Sequence, residues 1–329
     1  GQFLRGLKGT SQLYVTELSV SPDSTMIAGV SRLALTSQPQ FSFLIWESET
    51  GNILTRVDFT EDIQAYAFIA GQDKALIASG SGYILPVGLS TGEVGEKFGF
   101  YKSTVISLSA SPDGKRLGVA YADGVIHFYD LTSMKLQKQI DMELSMTIAP
   151  YDLNGENYIQ RIRLYNGIGS DKAGKFVAAL SPDRLRLNLI DPYTLKLIRS
   201  TPLTDMAFTS LDVSQDGKMV AGVDESNRII IYYATTGTKK IAIKAEQVYR
   251  ITMILFSPDG SQIASLSGGY LAELYVYDTE TGKKVHTLSG YNTMTYSPDG
   301  TTLVSDNIDY GIYVWDAVNG RKLASPAAD

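Results

Sequence analysis

The stretch YSPDGTTLVSDNIDYGIYVWDAVNG, residues 296–320, contains a turn, an alternating run of residues, a second turn, another run and a third turn. Proline presets φ at the first turn position, and glycine accepts a positive φ at the end of the turn. The aspartate side chain can form hydrogen bonds with nearby backbone groups. Short alternating runs between such turns are typical of antiparallel strands. The stretch therefore predicts most of one small antiparallel sheet.

The same two turns recur along the chain. Turns of the Ser-Pro-Asp-Gly type, some of them degenerate, start at positions 21, 70, 111, 170, 214, 257 and 297. The second turn follows an alternating run that ends in an aromatic or large residue, and a weaker copy ends at Gly92. Aligned on that turn, the runs place the following residues in one column: Trp46, Tyr129, Ile190, Tyr232, Tyr277 and Trp315. Both sets of turns give seven units. A repeat of this length indicates a repeat architecture, such as a solenoid or a propeller.

The Trp-Asp and Tyr-Asp endings of these runs resemble the WD-repeat family over nearly the whole chain. The resemblance implies an all-β fold, a seven-bladed β-propeller of four-stranded antiparallel blades. The family's Gly-His pair before the first strand is absent, because the only histidines are His127 and His286. The family's buried Asp-His-Ser-Trp network is therefore not expected. In this respect the chain resembles divergent, bacterial-type WD-like propellers.

One domain, residues 1–329, is expected to hold all the blades. GQFLRGLKG at 1–9 matches GKKVHTLSG at 282–290, which is a predicted outermost strand. We therefore predict a ring closed by pairing of the N- and C-terminal segments, with residues 1–9 supplying the outer strand of the last blade or competing for it with residues 321–325. Closure hides an aggregation-prone edge. The approximate blades are 13–60, 61–101, 102–143, 144–201, 202–246, 247–291 and 292–325.

Composition narrows the class of partner. A net charge of -6, from 29 basic and 35 acidic residues, offers no footprint for nucleic acid or an anionic membrane. No transmembrane segment is predicted, since no run approaches the roughly 20 apolar residues required. The absence of cysteine excludes disulfides and thiolate chemistry. It suits a bacterial envelope or an extracellular location, with the cytoplasm left open. We expect a monomer.

Motifs for catalysis or metal binding are weak. No G-x-S-x-G elbow occurs, and the Gly-Ile-Gly at 167–169 lacks the rest of a dinucleotide fingerprint. His127 is expected to pack in a strand, whereas His286 is expected to be solvated on an outermost strand. Asp306, Asn307 and Asp309 could supply some of the oxygen ligands of a calcium site, but a turn is favoured because Asp309 aligns with Asp123, where a turn residue is expected. The sequence therefore predicts neither a metal nor a cofactor.

The loops favour one face of the ring for binding. Because strands alternate in direction, the long departures at 31–40 and 142–158 lie on the face opposite the two recurring turns. Tyrosine and arginine are enriched at interface hot spots. Arg161 and Arg163 alternate along a predicted innermost strand, so they either extend into solvent or line the channel mouth. The candidate partner-binding residues are Tyr101, Lys102, Tyr151, Tyr158, Arg161, Arg163, Tyr249, Arg250, Tyr291 and Asn292.

Three functions are compatible with this pattern. The favoured hypothesis is a non-catalytic scaffold that binds another protein through the long-loop face. The first alternative is a propeller enzyme, a lactonase, hydrolase or quinone-dependent dehydrogenase, with its site at the channel mouth, where Glu17 and Asp212 are the candidate carboxylates. The second is a propeller that binds a glycan or another small ligand. Fold alone does not decide between them.

Overall fold

The computed structural model describes most of the predicted repeats. It covers residues 14–33, 40–111, 113–121, 123, 125–141, 164–165, 176–180, 186–190, 197–202, 210–268, 272–306 and 311–324. Within these ranges, six sheets have four strands and one sheet has three. In every sheet, strands adjacent in sequence pair antiparallel, in the order predicted from the turns. None of these residues forms a helix of the length and apolarity needed to cross a membrane.

The sheets are numbered in chain order. Sheet 1 contains β1 to β4 (Tyr14–Val20, Met26–Leu33, Gln40–Glu47, Ile53–Phe59), sheet 2 contains β5 to β7 (Ile63–Phe68, Lys74–Ser79, Ile84–Gly88), and sheet 3 contains β8 to β11 (Val105–Ala110, Arg116–Tyr121, Val125–Asp130, Lys135–Asp141). Sheet 4 contains β12 to β15 (Leu164–Tyr165, Phe176–Leu180, Arg186–Ile190, Leu197–Pro202), and sheet 5 contains β16 to β19 (Ser210–Val213, Met219–Val223, Arg228–Tyr233, Lys239–Lys244). Sheet 6 contains β20 to β23 (Ile251–Phe256, Gln262–Ser267, Glu273–Asp278, Lys284–Ser289), and sheet 7 contains β24 to β27 (Met294–Tyr296, Thr302–Asp306, Ile312–Asp316, Lys322–Ala324).

The turn between the first and second strands is held by its own side chains. In sheet 7, the Ser297 hydroxyl donates to Asp299 at 2.5 Å and accepts the Thr302 N–H at 2.9 Å. Asp299 also accepts the Thr301 N–H at 3.0 Å. Side-chain bonds of this kind explain why serine and aspartate recur in the motif. Equivalent serine-to-aspartate bonds join Ser21 to Asp23, Ser111 to Asp113, Ser214 to Asp216 and Ser257 to Asp259.

Ser24 stands where the equivalent turns of sheets 3, 5, 6 and 7 have glycine, namely Gly114, Gly217, Gly260 and Gly300. Its φ is 62°, close to the 72° of Gly260 and Gly300. A left-handed conformation costs an L-residue about 1 kcal/mol or more. We therefore expect Ser24→Gly to raise the free energy of unfolding by about 1 kcal/mol, measured by urea denaturation. Ser24→Ala keeps the Cβ, so an equal gain in that variant would contradict this explanation.

The aligned large residues before the second turn share one position in the sheets. A register shift in the pairing of the third and fourth strands falls directly before Trp46, Tyr129, Ile190, Tyr232, Tyr277 and Trp315. An acid follows all of these residues except Tyr232, and in sheet 6 it caps the turn: Asp278 accepts the N–H groups of Glu280 and Thr281 at 3.1 and 2.7 Å. The predicted equivalence of this column is confirmed.

Sheet 2 has an interrupted outer edge. Pro86 lies inside β7 and has no N–H to donate, so a regular ladder cannot form beside it. Residues 94–98 instead pair with β7 through two isolated bridges, Ile84 with Phe98 and Val87 with Val94. This substitutes for the fourth strand that the other sheets have.

The hydrophobic clusters lie between neighbouring sheets. Val15 and Leu18 of sheet 1 share a cluster with Val304 and Ile312 of sheet 7, so the first and last sheets of the chain pack together. The outermost described strand of sheet 7 is Lys322–Ala324, and residues 1–9 lie outside the described residues. Sheets 1 and 2, 2 and 3, 5 and 6, and 6 and 7 are joined by similar clusters.

Candidate interaction face

The long-loop face consists of the connections between sheets and those between the second and third strands of each sheet. Strand direction alternates, so these connections lie on the same side. Six predicted residues belong to connections between sheets that the structure describes: Tyr101, Lys102, Tyr249, Arg250, Tyr291 and Asn292. The other four, Tyr151, Tyr158, Arg161 and Arg163, lie outside the described residues.

Tyr101 has a structural role. Its ring lies 4.4 Å from the Tyr121 ring and 4.7 Å from the His127 ring. Its hydroxyl donates to Asp123 at 2.9 Å, which ties the connection before sheet 3 to a turn of that sheet. The side chain is half-buried, whereas that of Lys102 is exposed. Lys102 is therefore the more accessible of the two for a partner.

His127 is packed in its strand, as predicted. Only 3% of the residue is exposed. Its Nδ1 lies 3.0 Å from the Tyr129 hydroxyl and its Nε2 lies 3.1 Å from Gln139 Oε1. Burial lowers the pKa of His127, although the hydrogen bond to Gln139 opposes the shift. His286, expected to be solvated, is instead half-buried, with Nε2 at 3.0 Å from the carbonyl of Val318.

The lowered pKa of His127 predicts acid sensitivity. In the unfolded chain, His127 takes up a proton near the ordinary histidine pKa of about 6.5. In the folded chain, the lowered pKa shifts this protonation to a lower pH. The contribution of His127 to stability is therefore present above that pH and lost as the pH falls toward the lower folded pKa. We expect the wild type to lose more stability than His127→Gln between about pH 7.5 and pH 5. Urea denaturation across this range measures it, and parallel pH profiles would contradict it.

Asp306 organises the connection before sheet 7. One carboxylate oxygen accepts the N–H groups of Tyr291, Asn292 and Thr293 at 3.2, 2.8 and 2.9 Å, and the other accepts Asn292 Nδ2 at 3.1 Å. Burial raises the pKa of Asp306, although these donors oppose the shift. Asp306 therefore has a turn-capping role, and Asn307 and Asp309, the other two residues of the calcium alternative, lie outside the described residues. The described residues contain no group of acidic or histidine side chains suited to a metal ion.

Two exposed apolar residues on this face were not predicted. Phe100 is 60% exposed and Val248 is 82% exposed. Each precedes a tyrosine and a basic residue, so the order apolar, tyrosine, basic occurs at 100–102 and again at 248–250. Aligning the connections between sheets with one another would reveal this repeated order of residues from the sequence.

The innermost strands contain the two candidate carboxylates of the enzyme alternative. Asp212 is buried in β16, and its Oδ2 accepts the N–H of Phe256 in β20 at 2.7 Å. This bond joins the first strands of sheets 5 and 6. Glu17, in β1, is half-buried. Asp212 thus has a structural function in the packing of two sheets.

A solved structure decides the fold. The Cps50 (Swd1) β-propeller domain of Myceliophteria thermophila superimposes with a TM-score of 0.68, covering 92% of this chain and 96% of that domain at 15% identity. The chain has a β-propeller fold.

Curated WD-repeat proteins match parts of this propeller. U3 small nucleolar RNA-associated protein 21 of Saccharomyces cerevisiae is 21% identical over 63% of the chain and 20% of its own length. WD repeat-containing protein 1 of Rattus norvegicus is 33% identical over 23% of the chain and 13% of its own length. The COMPASS component SWD3 of S. cerevisiae is 24% identical over 36% of the chain and 38% of its own length.

The matches bear on the finer classification. The propeller spans a fifth or less of the first two relatives. No protein-family model matches the chain. All three relatives are eukaryotic, so they give no support to the bacterial-type subclass or to a bacterial envelope location.

The propeller contains short rows of linked hydrogen bonds, which lack the histidine of the network expected in typical WD-repeat proteins. Trp315 Nε1 donates to Ser305 Oγ at 2.9 Å, and Ser305 Oγ donates to the carbonyl of Ser289 in sheet 6 at 2.6 Å. In sheet 6, Gln247 Nε2 donates to Ser265 Oγ at 2.6 Å. A serine on the second strand therefore accepts a hydrogen bond from a buried side chain in both sheets, and neither row of hydrogen bonds includes a histidine.

Proposed function

We propose that the chain is one propeller of seven blades with the boundaries given above, and that it is a non-catalytic scaffold for protein interaction. Ring closure between the first and last blades is supported by the cluster that Val15 and Leu18 form with Val304 and Ile312. Residues 1–9 add to, or compete for, the outer edge of the last blade. If they do, deleting residues 1–12 lowers the melting temperature, and no change means that the C-terminal strand closes the ring alone.

The observation that carries the scaffold function is the exposure of Phe100 and Val248 on the long-loop face. At 248–250 the exposed apolar residue is followed by tyrosine and arginine, which are residue types enriched at interface hot spots. The name of one relative, COMPASS component SWD3, places that protein in an assembly. Of the predicted residues, Lys102, Tyr249, Arg250 and Asn292 are exposed and are proposed as contacts.

Affinity capture from a native extract tests this function. The full chain is the bait, and a variant without residues 142–158 is the comparison, since the sequence predicts that this long insertion belongs to the long-loop face. We expect specific proteins to be captured by the full chain and lost from the deletion variant. The variant must first show an unchanged melting temperature. Identical protein sets on both baits would contradict the proposal.

A further inference from the structure

The connection before sheet 6, residues 245–250, is anchored near its start by buried hydrogen bonds. Gln247 is 6% exposed, and its Nε2 donates to Ser265 Oγ at 2.6 Å and to the Ser265 carbonyl at 3.0 Å. The Glu246 N–H donates to the Tyr277 hydroxyl at 3.0 Å. The chain therefore enters this connection with a fixed direction.

The end of the same connection is clamped by one side chain. Asn227 Oδ1 accepts the N–H of Ile251 at 2.8 Å, and Asn227 Nδ2 donates to the carbonyl of Tyr249 at 3.2 Å. The Arg250 carbonyl accepts the N–H of Gly268 at 2.9 Å. The two ends of the connection at 245–250 are thus held by fixed partners in sheets 5 and 6.

Between these anchors, three consecutive side chains point toward solvent. Val248 is 82% exposed, Tyr249 is 39% exposed, and Arg250 is exposed. A partner that binds side chains on an already ordered backbone avoids most of the entropy cost of ordering a loop. An apolar residue, an aromatic residue and an arginine on such a backbone are a preformed contact surface.

The charges around this surface indicate the sign of the partner. Glu246 pairs with Lys284 at 2.6 Å, and Asp224 pairs with Arg228 at 2.7 Å. The carboxylate of Glu273 accepts the Val248 N–H at 3.3 Å and the Tyr275 hydroxyl at 2.7 Å. Arg250 contacts no carboxylate within the described part of the chain. Its charge remains available to a carboxylate from outside, and a guanidinium binds carboxylates in bidentate geometry.

The same arrangement occurs at the connection before sheet 3. Phe100 is 60% exposed and contacts the Tyr83 ring at 5.0 Å, and Lys102 is exposed and contacts no carboxylate among the described residues. The Tyr101 N–H donates to the carbonyl of Gly82 at 3.0 Å, which fixes this connection too. A second fixed loop on the same face therefore also presents an apolar residue and a basic one.

We propose that Val248, Tyr249 and Arg250 form a docking surface for an acidic segment of a partner protein that carries a bulky apolar side chain. This inference rests on the proposed scaffold function and specifies its partner. The apolar side chain of the segment packs on Val248 and Tyr249, and its carboxylate pairs with Arg250.

Selection from a displayed library of random linear peptides tests the proposal. The baits are the wild type, the double variant Val248→Ser/Arg250→Gln, and the matched control Val318→Ser/Arg321→Gln. Val318 is 75% exposed and Arg321 is exposed, and both lie at the second turn of sheet 7, on the opposite face. Because the substituted side chains are exposed, all three proteins should share one melting temperature.

We expect the wild type and the control to enrich peptides with acidic and bulky apolar residues. The best peptide should bind the Val248→Ser/Arg250→Gln variant about tenfold more weakly or worse, measured by fluorescence polarisation. Enrichment of neutral or basic peptides, equal affinity for all three baits, or no enrichment would overturn the inference. If native partners are lost on deletion of residues 142–158 but retained by the Val248→Ser/Arg250→Gln variant, this inference fails while the scaffold function stands.

Discussion

Replacing Trp46 by alanine is expected to lower the free energy of unfolding by about 4 kcal/mol. Trp46 is fully buried and belongs to the cluster in which Val15 of sheet 1 meets Val304 and Val314 of sheet 7. Removal of the indole loses the free energy gained by burying this apolar group. It also leaves a cavity between the two sheets, which the neighbouring backbone can only partly fill. Urea denaturation followed by circular dichroism gives the difference.

Trp46→Tyr is the matched control, since tyrosine occupies the equivalent register position at Tyr129 and Tyr277. It keeps a large ring, so we expect less than half of the loss. If Trp46→Ala stays within about 1 kcal/mol of the wild type, packing through this residue does not join the first and last sheets.

Replacing Asp306 by alanine is expected to lower the free energy of unfolding by about 3 kcal/mol, because three N–H groups, one buried and two partly buried, lose their shared acceptor. The affected groups are those of Tyr291, Asn292 and Thr293, which share one carboxylate oxygen. Amide hydrogen exchange should accelerate at these three residues before the rest of sheet 7 is affected. Urea denaturation measures the global loss.

Two variants sharpen the Asp306 experiment. Asp306→Asn keeps one acceptor oxygen but places an amide against Asn292 Nδ2, so an intermediate loss is expected. Asp299→Ala removes an exposed turn carboxylate of the same sheet, for which we expect about 1 kcal/mol. Unchanged exchange at residues 291–293 in Asp306→Ala would show that the carboxylate does not hold this connection.

Local signals made the sheets predictable. The Ser-x-Asp-Gly turn satisfies its bonds within five residues, as from Ser297 to Thr302, so its effect can be inferred without knowledge of the rest of the fold. The column of Trp46 and its equivalents follows from the same local spacing. Pro86 also carried a usable signal, since a proline within a strand weakens pairing on one side.

Exposure on the long-loop face was not predictable in the same way. Tyr101 and Tyr249 each precede a basic residue in equivalent connections, yet Tyr101 packs on Tyr121 and His127 while Tyr249 stays 39% exposed. The difference depends on side chains from other strands of sheet 3. Contacts between residues this far apart in sequence are not encoded in local spacing, which is also why the acceptor role of Asp306 was missed.

The sharing of each cluster between two sheets limits how the chain can be divided. Sheet 2, for example, contributes Leu76 and Ala78 to one cluster and Ala75 and Ile77 to another, so its two sides are completed by different neighbours. A fragment cut at any of these boundaries exposes the apolar face of one sheet, because the neighbouring sheet that covers this face has been removed. Circular permutation, which keeps the apolar faces of the sheets covered by their neighbours, should consequently be tolerated far better than truncation by a single repeat.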